Sequence, residues 1–333
     1  MGNRAGFYRY DIHGIVKVDS NVRPEAVAGV LPMFFLTGRR EGEADLTIYA
    51  GDFTYKGDGI YREGPFKFGP LRSKFLLDGL EGHAKLFFLS PRYNLFREVR
   101  QEPRTLMFEL LELKLLQKGH AFIHAACVEK NGDGLMITAP PDTGKTFTTI
   151  KLVREHGYSH MADDMTIIGP GGTAYCFPTL MTLHLPHLEE LPISLPGDLE
   201  ASVRARERLR SLPWVGRLLS EPRVDFRAVL PDARVTEKVK VSRLVFLERG
   251  KKGARRISRQ EAKSRLMPVA RMHRSIMSDL IVLYAYYHPE LDLHALSERQ
   301  DELYLELLDR VECYVVSAPD RSFADIMVQH GLA

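Results

Sequence analysis

The chemically most specific motif of the chain lies at residues 139–146. This motif ends in Gly-Lys-Thr. The pattern matches a Walker-type phosphate loop, GxxxxGK[ST], with alanine in place of the first glycine. In such a loop the backbone N–H groups and the start of the following helix bind phosphate oxygens. The motif therefore predicts a nucleotide site made by Ala139, Pro140, Pro141, Asp142, Thr143, Gly144, Lys145 and Thr146.

Two residues of this motif carry the chemistry of the phosphates. We expect the ammonium group of Lys145 to reach the β and γ phosphates, and the hydroxyl of Thr146 to bind Mg²⁺. Pro140 and Pro141 supply no N–H donors, and Ala139 has less conformational freedom than glycine. The alternative interpretation is a chance Gly-Lys-Thr at an ordinary helix start. The predicted strand before the loop, the helix after it and an acidic strand end beyond favour the phosphate loop.

Asp163 and Asp164 are an acidic pair that follows the loop helix. They come after a short predicted strand, which we expect to lie beside the strand that leads into the loop. Neighbouring residues on a strand point to opposite faces, so the two carboxylates should have different roles. One can accept a proton from an attacking hydroxyl, and the other can bind a metal ion or hold a neighbouring loop. A solvated Asp-Asp turn is the alternative.

His124 lies in the apolar stretch FIHAACV, and the strand after it runs into the loop. A histidine in such a strand is most often a core residue, and its catalytic value depends on reaching the same phosphates. Cations that could neutralise a transferred phosphoryl group occur on the strand KVKVSRLVF. They are Lys238, Lys240 and Arg243.

The remaining polar candidates carry a weaker signal. His184 and His187 are three residues apart and are followed by Glu189 and Glu190, which suggests a metal site only if further ligands exist. An exposed acidic helix start is the simpler interpretation. The basic run at residues 249–256 predicts a solvated turn, with nucleic-acid contact as a minor alternative.

The pattern around the loop predicts strand, phosphate loop, helix, strand. AFIHAACVE predicts one strand, NGDG a hairpin turn, and GLMITA the strand that enters the loop. The loop helix should end at Gly157, before the strand-like MTIIG. Further upstream, the apolar spacing after Pro103 predicts a helix that starts at this proline and stops at Gly119.

The chain divides by pattern into two regions. Residues 1–100 predict a mainly β domain, in which short β-rich runs suit an antiparallel layer with one solvated face. Residues 101–333 predict an α/β nucleotide-binding domain. Within it, residues 184–236 carry six of the 19 prolines and a basic stretch. We expect this segment to run over the surface and to cover or select the acceptor, because prolines deny a sheet its N–H donors.

Composition excludes several classes of protein. The 333 residues are 44% hydrophobic and 27% charged, which is typical of folded globular proteins rather than disordered or repetitive chains. The net charge of +3 is too small to indicate a nucleic-acid binder. Three cysteines without ligand spacing favour a reducing compartment. There is no signal-like segment and the apolar runs are short, so we expect a cytoplasmic protein without membrane contact.

In the order and spacing of these motifs, residues 120–164 resemble the HPr kinase/phosphorylase family, which shares its nucleotide-binding fold with phosphoenolpyruvate carboxykinases. The resemblance implies an α/β P-loop kinase core of this type behind the N-terminal β domain. It implies that His124 matches the family histidine, Lys145 the phosphate lysine and Thr146 the metal-binding hydroxyl. Asp163 would accept the proton of the substrate hydroxyl.

The resemblance also makes Asp164 the supporting carboxylate, which with Thr146 completes the expected metal site. The implied activity is ATP- and Mg²⁺-dependent transfer of the γ-phosphoryl group to a hydroxyl. The acceptor classes are serine or threonine of a peptide or protein, and a small alcohol metabolite. Alternatives are a nucleotide-sensing module without turnover, a carboxykinase-like enzyme, and hydrolysis without an acceptor. A homo-oligomer is a further implication.

Overall fold

The computed structural model describes residues 6–39, 41–65, 72–89, 97–191, 193–210, 212, 221–272, 276 and 278–333. This part of the chain is mixed α/β, as the sequence predicts. The helices are α1 (Pro24–Val27), α2 (Arg97–Gln117), α3 (Lys145–His156), α4 (Leu185–Glu190), α5 (Gly197–Arg210), α6 (Phe226–Val229), α7 (Arg259–Met272), α8 (Asp279–Tyr287), α9 (Leu293–Leu308) and α10 (Phe323–Gln329). Short 3₁₀ turns occupy Met33–Phe35 and Pro170–Gly172.

Eighteen strands fall in the described residues. They are β1 (Tyr8–Ile12), β2 (Val16–Ser20), β3 (Leu36–Thr37), β4 (Leu46–Ala50), β5 (Ile60–Pro65), β6 (Arg72–Asp78), β7 (Ala84–Leu89), β8 (Ala121–Ile123), β9 (Ala126–Lys130), β10 (Asp133–Thr138), β11 (Ser159–Ala162), β12 (Thr166–Gly169), β13 (Thr173–Tyr175), β14 (Met181–Thr182), β15 (Arg223–Val224), β16 (Lys238–Arg249), β17 (Gly253–Arg256) and β18 (Glu312–Ala318).

The chain folds into two compact units. The first comprises Met1–Gly119 and Arg274–Gln300, and the second comprises His120–His273 and Asp301–Ala333. This division differs from the predicted boundary after residue 100, because α2 packs against β2, β4 and β7 and so belongs to the first unit. The helix also begins at Arg97, which places Pro103 inside it rather than at its start.

The first unit is built on a seven-stranded sheet with the order β3-β1-β2-β4-β7-β6-β5. Burial alternates along β2 and β7, so one face of the sheet is covered and the other is partly solvated, as predicted. The prediction of a purely antiparallel layer is wrong, because β2 and β4 pair in parallel, as do β4 and β7. Strand β6 escaped the pattern analysis because Phe75, Leu76 and Leu77 are buried in succession and show no alternation.

The second unit is built on a nine-stranded mixed sheet. Its main path has the order β11-β9-β10-β16-β13-β12-β8, and β18 adds to β16 in parallel. The predicted hairpin turn between β9 and β10 is confirmed, since Asn131 and Gly132 both adopt positive φ angles of 55° and 86°. Such a pair of angles is typical of the two-residue turn that suits the twist of a hairpin.

One long antiparallel ladder of this sheet is interrupted in the middle. The predicted strand AFIHAACVE is in fact two strands, β8 and β9, which are separated at residues 124–125. Strand β9 pairs with β11 and β8 pairs with β12, so residues 163–165 lie opposite the interruption. The carbonyls that lose their ladder partners accept hydrogen bonds from hydroxyls: Thr138 donates to His124 at 2.9 Å and Thr166 to Ala125 at 2.7 Å.

The described residues of the proline-rich segment 184–236 contribute to the core of the second unit; residues 192, 211 and 213–220 lie outside the described residues. The prediction that the segment runs over the surface is wrong for its apolar residues, since the stretches between the prolines form helices such as α5 and α6, which bury apolar side chains. These residues are buried in the same cluster as Ile150 and Leu152 of α3. They are Leu191, Leu195, Val203, Val224, Phe226, Val229 and Leu230.

The three cysteines are free and buried. Among the described helices, none combines the length and the apolar character needed to cross a bilayer.

Helix α3 ends at Gly157, as predicted, and this residue has a left-handed φ of 71°. We expect Gly157→Ala to lower the free energy of unfolding by about 1 kcal/mol, because only the backbone angle opposes the new methyl group. No heavy atom lies within 4 Å of the position the methyl would take. The measurement is denaturant unfolding.

The matched control for this change is Gly197→Ala at the start of α5. Gly197 is equally open to solvent but has no positive φ, so the alanine variant should be no less stable than the wild type. An equal loss of stability in both variants would contradict the assignment of the cost to the left-handed angle.

Candidate nucleotide-binding site

The predicted phosphate loop connects β10 to α3. Positive φ angles occur at Asp142 (58°) and Gly144 (129°), whereas Ala139 has none, so alanine is tolerated where the motif usually has glycine. Gly144 is the N-cap of α3 and provides no side-chain cap for the first N–H groups of the helix. A helix start of this kind has N–H donors and a positive dipole end for an anion.

The elements that carry the other predicted residues end at the same edge of the sheet. Strand β9 runs antiparallel to both β10 and β11, with Ala126 opposite Ile137 and Cys127 opposite Ala162. The end of β10, the end of β11 and the start of β9 therefore lie together. The prediction that β11 lies directly beside β10 is wrong, since β9 separates them. The interruption before β9 nevertheless brings His124 to the loop.

Lys145, His124 and Asp164 form a chain of polar contacts. The Lys145 ammonium lies 2.7 Å from His124 Nε2 and donates to the Ala139 carbonyl at 3.1 Å. His124 Nδ1 lies 3.4 Å from Asp164 Oδ1, which is also 3.9 Å from the ammonium. A charged lysine can only donate, so Nε2 accepts and the neutral imidazole carries its proton on Nδ1, towards Asp164.

Thr146 and Asp163 form a second contact at the start of α3. The Thr146 hydroxyl donates to Asp163 Oδ2 at 2.9 Å. Asp163 is only 4% exposed, and its Oδ1 is buried without a hydrogen-bond partner. Burial and, to a smaller extent, the neighbouring Asp164 raise the pKa of Asp163 to about 7, against the opposing effects of Thr146 and Lys145.

The site places several carboxylates around one ammonium group. Burial lowers the pKa of Lys145, while Asp164, Asp163 and Asp142 act in the opposite direction. Asp164 differs from Asp163 in accessibility, since its side chain is 57% exposed. The two neighbouring aspartates thus occupy different environments, as their positions after a strand predict.

The Thr146–Asp163 pair fits a magnesium ion. The hydroxyl and the carboxylate supply hard oxygen ligands, and the unpartnered Oδ1 has no competing donor. Mg²⁺ typically keeps several waters and takes few protein ligands. Within the parts of the chain that the structure describes, no cluster of three or more His, Cys, Asp or Glu side chains is arranged to hold a metal.

The predicted basic residues of β16 lie away from this site. Strand β16 runs parallel to β10, and Lys240 is opposite Asp133 at the start of β10, whereas the loop follows its end. Lys238 and Lys240 are therefore at the opposite edge of the sheet, Arg243 lies opposite Leu135 in the first half of β10, and the expectation that these residues face the phosphates is wrong. Lys240 donates to the Gly171 carbonyl and Arg243 to the Leu332 carbonyl.

The histidines of α4 have other partners. His184 Nδ1 lies 3.1 Å from Glu207 Oε2, and the His184 N–H donates to His187 Nδ1 at 3.0 Å. Burial lowers the pKa of His187 to about 4. Glu190 accepts a hydrogen bond from Arg321 at 2.5 Å. These contacts account for His184, His187 and Glu190 without a metal ion.

The segment after β18 borders the loop and was missed by the sequence reasoning. A Cβ atom at Gly144 would lie 3.4 Å from the ring of Phe323, and Arg321 lies over the ring of Phe147 in the first turn of α3. The parallel arrangement of three strands would have indicated this contact. Strand β18 is parallel to β16, which is parallel to β10, so the loops that follow them meet at one edge.

Comparison with models of known protein families and with curated proteins finds no match to this chain.

The buried carboxyl of Asp163 predicts a pH-dependent stability. Its pKa is higher in the folded protein than its ordinary value of 3.8, so the folded state binds the proton more tightly and loses stability as pH rises from about 4 to about 7. Asp163→Asn removes this penalty. We expect its thermal midpoint to exceed that of the wild type by about 3 °C or more at pH 8, and by much less at pH 5.

Asp164→Asn is the control for this experiment, since it removes the neighbouring exposed carboxylate from the same turn. Because Asp164 is the second cause of the raised pKa of Asp163, this variant should also gain stability relative to the wild type from pH 5 to pH 8, but by less than Asp163→Asn, since burial is the larger cause. A constant difference for Asp163→Asn between pH 5 and pH 8 would show that the folded protein does not hold this carboxyl protonated.

Proposed function

We propose that the chain is an ATP-dependent kinase that transfers the γ-phosphoryl group to a hydroxyl. One observation carries the proposal: at the start of α3 the Thr146 hydroxyl contacts a buried carboxylate whose second oxygen has no partner, beside a lysine held towards the same edge. A phosphate loop, a hydroxyl and a carboxylate in this order are the parts that phosphoryl transfer uses.

The loop residues would bind and orient the triphosphate. The N–H groups from Asp142 to Thr146 and the helix dipole attract the phosphate oxygens. Lys145 is already positioned by His124 and the Ala139 carbonyl, so its ammonium group can turn to a phosphate oxygen over a short distance. Holding reactants in place and stabilising developing charge account for most of the catalysis in this class of reaction.

Thr146 and Asp163 are the residues that would hold Mg²⁺. When bound, the ion would neutralise charge on the phosphates and withdraw electron density from the γ phosphorus. Asp163 is suited to this role by its contact with Thr146 and by its unpartnered oxygen. Our proposal reverses the roles that the resemblance implies, in which Asp163 accepts the proton and Asp164 binds the metal.

Asp164 is the carboxylate that an incoming acceptor can reach. Its side chain is 57% exposed, whereas Asp163 is 4% exposed. We therefore place the acceptor hydroxyl next to Asp164, which accepts its proton as the oxygen–phosphorus bond forms and the bond to ADP breaks. His124 positions Lys145 through Nε2, and its Nδ1 lies 3.4 Å from Asp164 Oδ1.

The acceptor is a serine or threonine of a peptide or protein, or a small alcohol. Helix α4 lies beside the first turn of α3, since the His187 ring is 6.3 Å from that of Phe147, and this supports the expectation that the 184–236 segment contacts the acceptor. A cytoplasmic location and a homo-oligomer stay predictions from the sequence, as does the carboxykinase-like alternative.

A nucleotide-sensing module without turnover is the second candidate. Pro140, Pro141 and Asp142 are exposed at the tip of the loop, where two donors are missing and a carboxylate faces the incoming anion. These features weaken phosphate binding and favour the sensing module, whereas the retained Lys145 and Thr146 favour an enzyme that turns over ATP.

The first test measures nucleotide binding and turnover with one purified protein. We expect Mg²⁺-dependent ATP binding by calorimetry, and ADP release with γ-labelled phosphate passed to a hydroxyl acceptor from a panel of peptides and alcohols. Lys145→Ala should weaken ATP binding more than about tenfold and abolish transfer, because a charge-assisted hydrogen bond to phosphate is lost.

Lys240→Ala is the matched control, since this lysine lies in the same sheet at the opposite edge. It should bind and turn over ATP as the wild type does. Tight ATP binding with no ADP released across the panel would favour the sensing module, and no binding at all would refute the nucleotide site.

The second test separates the two aspartates by steady-state kinetics over a range of Mg²⁺ concentrations. We expect Asp163→Asn to raise the Mg²⁺ concentration needed for half-maximal rate, because a metal ligand loses its charge. Asp164→Asn should lower kcat by about 100-fold or more at saturating Mg²⁺, because the proton acceptor is lost. The opposite pattern would support the assignment that the resemblance implies.

A further inference from the structure

Arg321 lies on the side of the phosphate loop that faces away from the aspartates. Strand β10 has β9 as one neighbour and β16 as the other, and β18 lies beyond β16. His124 and Asp163 belong to the β9 side. The segment that follows β18, which contains Arg321, belongs to the β16 side. Arg321 and Asp163 therefore lie on opposite sides of the loop, so a phosphate other than the γ phosphate is the one that Arg321 could contact.

Several contacts hold this segment against the loop. Phe323 is fully buried and its ring packs next to Gly144. The guanidinium carbon of Arg321 lies 5.9 Å from the centre of the Phe147 ring. Arg249 at the end of β16 donates to the Asp320 carbonyl at 2.7 Å, which fixes the turn before Arg321. The guanidinium is thus placed beside the first turn of α3 by residues other than its ion-pair partner.

The charge balance of the loop calls for a further cation. Asp142, Asp163 and Asp164 surround a single lysine, and the two prolines remove donors. A nucleoside triphosphate adds several negative charges, which one ammonium and one divalent ion do not neutralise. On the β16 side, Arg321 offers a planar group that matches two phosphate oxygens.

The present partner of Arg321 can be displaced. Its guanidinium pairs with Glu190 of α4 at 2.5 Å, and the two side chains are 33% and 49% exposed. An ion pair this open to water is weak, because solvent screens it and both side chains lose freedom. A phosphate with more than one negative charge competes well for the same guanidinium.

We propose that Arg321 binds the α or β phosphate of the nucleotide and that Glu190 competes with the nucleotide for it. The proposal rests on the proposed function, since it assumes that the loop binds a nucleoside di- or triphosphate. It makes Glu190 an internal competitor that lowers nucleotide affinity, and it gives Arg321 a role in holding both ATP and ADP.

The test is calorimetric titration of the full chain and its variants with Mg²⁺-ADP and Mg²⁺-ATP. Arg321→Ala should weaken both nucleotides by about tenfold, and Arg321→Lys by less, because a point charge replaces the planar group. Glu190→Gln should tighten both about two- to fivefold, because the competitor loses its charge. The control is Glu261→Gln, which breaks an equally short ion pair with Arg255 elsewhere and should change nothing.

Glu190→Gln separates this proposal from a structural role of the ion pair. If the pair only holds α4 in place, Arg321→Ala and Glu190→Gln weaken binding alike, and the proposal is overturned. The proposal is also overturned if Arg321→Ala weakens the binding of ATP but not of ADP, or the binding of neither nucleotide. In those cases the proposed function still stands if the wild type binds nucleotide and Lys145→Ala does not. A wild-type protein that binds neither nucleotide overturns both.

Discussion

The buried ammonium of Lys145 is the constraint on which the rest of the site depends. A lysine removed from water must be hydrogen-bonded or lose its charge, and here the Ala139 carbonyl and His124 Nε2 meet that need. His124 reaches the ammonium group because it lies in the interruption between β8 and β9, where the backbone belongs to neither strand. The Thr138 and Thr166 hydroxyls, which satisfy the freed carbonyls, are therefore as much a part of the site as the lysine itself.

Local features of the fold were predictable because short stretches of residues determine them. The Asn131-Gly132 turn and the end of α3 at Gly157 follow from turn chemistry and from apolar spacing. Non-local pairing was less accessible. Neither the parallel pairing of β2 with β4 nor the position of β9 between β10 and β11 is encoded in a nearby pattern, since both depend on which distant strands compete for the same edge.

The same limit applies to the site. The sequence indicated Lys145, Thr146, His124 and both aspartates, because residue types and spacing mark a phosphate loop and a strand end. It did not indicate Arg321, which lies more than 170 residues beyond the loop and joins it only through the parallel register of β10, β16 and β18. The basic residues of β16 attracted attention by their charge, but direction along the strand placed them away from the loop.

The interruption between β8 and β9 has a consequence for how this fold can change over time. Ladders continue on both sides of it, from Ile123 with Thr166 and from Cys127 with Ala162, and they keep the opposing backbones aligned whatever side chains stand between them. Substitutions at positions 124, 163 and 164 therefore leave the strand pairing on both sides in place. The chemistry of this interruption can change during evolution while the sheet around it is retained.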